Sequence, residues 1–170
     1  NNGLHIGRAI APENIGITRV SQGAGSIGTQ STNNLGGTLE FFSYDPTEGF
    51  GADANLTYGS ENTVRAFARV NFGESDGIRG FISGTYHNAE KWKGGGDQRN
   101  WMINAKAIIP VGEAEFDAYF SYSDRAEQDY QDLSLEMIRR LGYDHDNYFP
   151  DYAKAIAAAP PRTAGSGARG

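Results

Sequence analysis

Three places in this 170-residue chain carry residue types that could do chemistry. Gly23, Gly25 and Gly28, in "RVSQGAGSIGTQ", fit G-x-G-x-x-G, the spacing with which a loop offers backbone N–H groups to a dinucleotide pyrophosphate. Asp144, His145 and Asp146, in "YDHDNY", offer oxygen and imidazole donors of the kind that ligate metals. Glu115 and Asp117 lie two residues apart, so on a strand they share a face, but a carboxylate pair alone is weak evidence for acid–base work. Context argues against each. The glycine fingerprint requires a helix opening at the loop, whereas "TQSTNNLGG" has no apolar stripe and ends in Gly36 and Gly37, so no βαβ unit can be built. His5, His87 and His145 are too scattered to nominate a metal or catalytic set, and "YDHDNY" reads as a polar turn after a helix. No G-x-S-x-G elbow occurs, and Gly94, Gly95 and Gly96 read as a flexible loop. The expectation is a non-enzymatic protein with no cofactor and no metal. The five glycines Gly23, Gly25, Gly28, Gly36 and Gly37 then serve tight turns, where backbone packs closely or needs φ > 0.

The elements that would position such residues fall into two regions that separate near Pro46. Residues 1–46 are rich in Gly, Asn, Ser and Thr, with two short strand-like runs, "NIGITRV" (14–20) and "GGTLEFF" (36–42). From Phe50 onward the pattern is strict alternation, predicting five strands over 50–60, 64–72, 78–87, 101–109 and 114–123. One face holds sets such as Val64, Ala66, Ala68, Val70, Phe72 and Trp101, Ile103, Ala105, Ala107, Ile109. The other holds charges of both signs: Asp53, Arg65, Arg69, Arg79, Lys106, Glu115 and Asp117. The connections "SENT", "GESDG" and "VGE" are tight turns and "NAEKWKGGGDQR" (88–99) a longer polar loop, which implies an antiparallel meander. After Asp124 the alternation stops. "DLSLEMIRRLG" predicts a short helix, capped by Asp132 or Ser134 and ended by Gly142, and "DYAKAIAAAPP" a weaker one.

A net charge of −6 and a pI near 5.0 give a nucleic-acid partner no support. The absence of Cys excludes disulfides and thiol chemistry. No apolar run is long enough for a membrane-spanning helix. Strands of roughly nine to eleven residues are the length a tilted strand needs to cross the hydrocarbon layer. The apolar face is made of Ala, Gly and aromatics rather than the interlocking aliphatics of a protein core. Aromatics gather toward the strand ends, as in the girdles of outer-membrane barrels: Phe50, Tyr58, Phe72, Tyr86, Trp101, Phe116 and Tyr122. Charges of both signs suit a lumen filled by another protein segment, where they can pair. If "GESDG" and "VGE" are periplasmic turns, "NAEKWKGGGDQR" and the tail fall outside, with "SENT" an unusually short outer loop. Five strands cannot close a barrel, and "NNGLHIGR" reads as mid-domain sequence, so a piece of a longer protein is expected.

With those features together, the chain resembles a TonB-dependent outer-membrane receptor, spanning the end of its plug and the start of its barrel. The carrying elements are "ITRVSQGAGSIG", "NLGGTLEFFS" and "YDP", followed by "FGADANLTYGSENTVRAFARVNF" and "IRGFISGTYHN", over roughly residues 12 to 125. Ser21 and Gln22 replace the usual acidic–apolar pair, and Ala24 stands where a Pro is frequent. The resemblance implies a mainly β fold: 1–46 the C-terminal part of a plug, and 47–170 the N-terminal part of a transmembrane barrel, with 124–170 a long extracellular loop. It implies transport of a scarce ligand such as a siderophore–iron chelate across the outer membrane of a Gram-negative bacterium. Its partners would be outer-membrane lipid and the TonB–ExbB–ExbD complex, whose contact segment is not in this sequence. The seven charges would face the lumen, and His87, Lys91 and Trp92 would be ligand contacts at an outer loop. The alternatives are a soluble all-β module binding carbohydrate or protein, which would bury the Ala/aromatic face on a second sheet, and a nucleotide-dependent enzyme, which requires a helix after Gly28.

Overall fold

The computed structural model describes residues 6–23 and 36–158. A single turn α1 (Ile6–Ala9) and a 3-10 turn (Pro12–Asn14) lead into β1 (Ile15–Ser21). This strand pairs antiparallel with β2 (Thr38–Ser43), Val20 opposite Leu39 and Thr18 opposite Phe41. Antiparallel pairing of β1 with β2 rules out the parallel βαβ unit that a dinucleotide loop needs. Gly25 and Gly28 lie outside the described residues.

The second sheet contains β3 (Phe50–Tyr58), β4 (Val64–Ser75), β5 (Ile78–Glu90), β6 (Asp97–Val111) and β7 (Ala114–Glu127), each beside its sequence neighbour and antiparallel to it. Local chemistry closes the hairpins. Asp76 and Gly77, at φ 53° and 79°, make the Asp-Gly turn whose left-handed pair matches strand twist. A side chain at Gly77 would also meet Pro110 Cγ at 2.9 Å. The tips at 59–63 and 91–96 lie at the same end of the sheet, joined by a hydrogen bond from Glu90 N to Glu61 O (2.8 Å).

The strands outrun the alternating pattern. Ladder pairs Asn88–Arg99 and Glu90–Asp97 extend β5 and β6 into "NAEKWKGGGDQR", leaving a turn of only Lys91–Gly96 where a long loop is expected. β7 likewise runs to Glu127, so the tail begins at 128 rather than 124. Backbone pairing does not need alternating side chains, and polar strand ends keep the ladder without the hydropathy signal. In the tail, Ser134 caps α2 (Leu135–Leu141) by accepting from Met137 N (3.2 Å), Gly142 ends it at φ 97°, and α3 (Tyr152–Ala158) follows.

The sheet is inside out by the standards of a water-soluble protein. One register row runs Ala52, Val70, Ile82, Ala105, Phe120, and the next Ala54, Ala68, Gly84, Ile103, Tyr122. This apolar face is bare: Leu56 is 78 % exposed, Phe120 58 % and Trp101 52 %. On the opposite, polar face Lys106 is 6 % exposed and Asn104 1 %, as is Phe81. No described element covers the apolar face; the N-terminal segment covers the polar one. Among the described residues no helix is long and apolar enough to cross a membrane, which leaves strands an open matter.

Candidate functional site

The seven charges singled out from the sequence share the polar face, and each has an oppositely charged partner. Arg69 Nε and Nη2 donate to Asp53 Oδ2, directly across the β3–β4 ladder (3.0 and 2.7 Å). Arg79 lies 3.9 Å from Glu115. Lys106 Nζ sits 2.8 Å from Asp117 Oδ2. Glu115 and Asp117 therefore each face a cation on another strand.

Several of these groups reach beyond the sheet to the N-terminal segment. Arg65 holds Glu13 through two parallel hydrogen bonds (2.9 and 2.8 Å). Arg69 Nη1 donates to Glu13 O (3.1 Å), and its guanidinium lies 4.0 Å over the Tyr44 ring. Lys106 also donates to Asp45 Oδ1 (2.7 Å) and Ser43 Oγ (3.1 Å). At the centre, Asn104 Oδ1 accepts from Ala11 N (2.9 Å) and Asn14 Nδ2 (3.1 Å). Asn104 Nδ2 donates to Ala9 O (3.3 Å) and Ser121 Oγ (3.1 Å), and Asn14 Nδ2 donates to Ser83 Oγ (2.7 Å). Burial alone would raise the Glu13 carboxyl. The hydrogen bonds and charge of Arg65, a backbone N–H and the charge of Arg69 outweigh it, so the group sits below its ordinary range.

The same face also buries apolar groups: Phe81 is 1 % exposed, Met102 and Ile108 3 %, and the Tyr44 ring centroid lies 6.3 Å from that of Phe81. A typical hydrogen bond exchanged for water changes stability by only about 0.5–1.5 kcal/mol, so the polar contacts fix the register of the segment while apolar burial adds to its hold.

The remaining candidates divide. His87 lies within β5, in register with Arg65 and Asn100 on the polar face, at the end of the strand expected over 78–87. Trp92 is 49 % exposed, its ring centroid 6.1 Å from Tyr130 and 5.7 Å from Tyr143. Lys91, expected at an open loop, is buried: it pairs with Asp146 and donates to Asp129 O (3.0 Å). The folded-back tail covers it, which local sequence does not reveal. Asp146 also accepts from Gln131 N (2.7 Å), so "YDHDNY" supplies a buried anchor, and no cluster of three His, Asp or Glu able to hold a metal exists among the described residues. Gly37 has φ 129°, and a Cβ there would lie 2.6 Å from Ser21 O. Gly23 is left-handed at φ 76°, and Gly36 opens on empty space.

Sequence reasoning missed Glu13, Asn14, Tyr44, Asp45 and Asn104. Only Asn104 carried a signal, as a mid-strand amide on the charged face; the others precede the alternating region and gain meaning only through tertiary contact. Comparison of the chain with family models, curated proteins and solved structures finds no match.

Proposed function

We propose that this chain is part of a TonB-dependent outer-membrane transporter, contributing five wall strands and the last portion of the plug that fills the barrel. One observation carries the reading: the apolar face is bare while Arg69, Ser83, Asn104 and Lys106 on the charged face are buried and bonded to the N-terminal segment. Water-soluble monomers rarely expose a contiguous apolar patch of more than a few hundred Å². In a bilayer the same face is the low-energy one, because lipid chains cover it and need no interlocking shape. A soluble binding module would bury this face on a second sheet.

On this reading residues 1–46 are plug, β3–β7 are wall, and Asp53, Arg65, Arg69, Arg79, Lys106, Glu115 and Asp117 face the lumen. The tips at 59–63 and 91–96 and the tail after Glu127 lie outside the cell. The cargo is a scarce solute such as an iron chelate, admitted when the energised TonB–ExbB–ExbD complex draws on the plug and parts its contacts with the wall. The protein that carries this chain is tested by fractionating a Gram-negative host and measuring growth under iron limitation. Recovery in the outer membrane, with growth on a chelate lost on deletion, is the expected outcome. Recovery in the cytosol overturns the proposal.

A further inference from the structure

Between the N-terminal segment and the outer end of the polar face lies a cavity of about 220 Å³. At about 30 Å³ for each water, it has room for roughly seven waters or a small organic ion. Its lining among the described residues includes Arg65, Arg99 and Arg125 and no carboxylate. Gly7, Ala11 and Pro12 roof it from the N-terminal segment.

The floor is one register row across four strands: Arg65 on β4, His87 on β5, Asn100 on β6 and Arg125 on β7. Neighbouring strands are about 4.8 Å apart, so the two arginine backbones stand about 14 Å apart and bracket the row. Between them, His87 Nδ1 is buried and has no hydrogen-bond partner among the described residues. A buried polar atom without a partner is uncommon and costly. Both arginines already hold carboxylates at the cavity's margin. Arg65 grips both oxygens of Glu13, and Arg125 Nε donates to Glu127 Oε2 (2.6 Å).

We propose that this cavity binds a small polycarboxylate, one carboxylate toward each arginine and the imidazole between them. The planar fork of a guanidinium matches a carboxylate bidentately; Arg65 makes that match with Glu13, and Arg125 holds one carboxylate oxygen of Glu127. A bound polycarboxylate competes with Glu13 for Arg65. Binding therefore loosens the ion pair that ties the N-terminal segment to the outer end of the sheet. The inference rests on the transporter reading, because it takes the segment as plug and the cavity as reachable from outside.

The test is calorimetric titration of the detergent-solubilised full-length protein with citrate, with inorganic phosphate and with sodium chloride as separate arms. Folding is checked independently by the heat-dependent gel shift of a closed barrel. Citrate binds and phosphate does not. R125Q and H87Q each weaken citrate by about tenfold or more, the scale of a lost charge-assisted hydrogen bond. E13Q, which removes the competing carboxylate, tightens it. Unchanged citrate affinity in folded R125Q and H87Q overturns the inference, as do phosphate binding equal to citrate and silence of a folded barrel toward all three salts. A protein that shows no barrel signature fails the transporter reading instead, so the two failures are distinguishable.

Discussion

Asn104 shows what single residues contribute. Its amide serves the backbone of Ala11 and Ala9 and the side chains of Asn14 and Ser121 while 1 % exposed. N104L matches its size but orphans Ala11 N and takes one of its two acceptors from Asn14 Nδ2, which keeps Ser83 Oγ. The expected cost is about 1–3 kcal/mol for the buried unsatisfied donor, read as a lower urea midpoint. Gly37 makes the opposite case, since G37A asks a left-handed residue to accept a Cβ against Ser21 O. Its expected loss exceeds about 1 kcal/mol, because strain adds to the conformational penalty. Asp146 gives the pH dependence of the tail. Burial raises its carboxyl, but the Lys91 pair and the Gln131 and Asn147 N–H groups win, holding it below its ordinary value of 3.8. A depressed folded-state value contributes stability that is present above the unfolded value and lost as pH falls through the folded one. Acidification below about pH 4 therefore releases the tail, which Trp92 fluorescence reports through its contacts with Tyr130 and Tyr143. In D146N the Trp92 signal loses that acid transition.

At the scale of the element, the two faces of a strand should answer differently to charge. A105R places a guanidinium on the apolar face, with an expected cost of about 2–4 kcal/mol if the site lies near the bilayer midplane. N55K places an ammonium on the polar face of β3, beside charges already paired, and is expected to be tolerated. The measurement is the yield of folded protein in lipid vesicles. The alternation that makes this prediction is also why the five-stranded meander was legible from sequence alone: Val64 to Phe72 and Ala114 to Tyr122 each repeat with period two. Strand ends were not legible. Asn88 to Glu90 and Asp97 to Asn100 pair through backbone alone, and their side chains carry no periodic signal. The charged face was legible as a face, but its partners were not. Glu13, Asn14 and Asp45 belong to a region without alternation, and their contacts to Arg65, Ser83 and Lys106 span between 52 and 69 residues of chain. Lys91 looked open for the same reason, as its cover arrives from Asp129 and Asp146.

For the whole molecule, the distribution of polarity decides the environment. A sheet that buries Arg69, Asn71, Ser83, Thr85, Asn104 and Lys106 while leaving Leu56, Phe72, Trp101 and Phe120 bare is stable only where the bare face is covered by something apolar. The N-terminal segment covers part of the other side through its polar contacts. The chain has no Cys, so within it an introduced cysteine is the single thiol that takes a spin label. The most direct measurement places a label in turn at Ala66, Phe67, Ala68, Val70 and Asn71 on β4. In the protein that carries this chain, reconstituted in lipid vesicles, collision with membrane-dissolved oxygen and with a water-soluble nickel complex is compared. The account predicts high oxygen and low nickel accessibility at 66, 68 and 70, and low oxygen accessibility at 67 and 71. Oxygen accessibility that fails to alternate, or nickel reaching 66, 68 and 70, would contradict it.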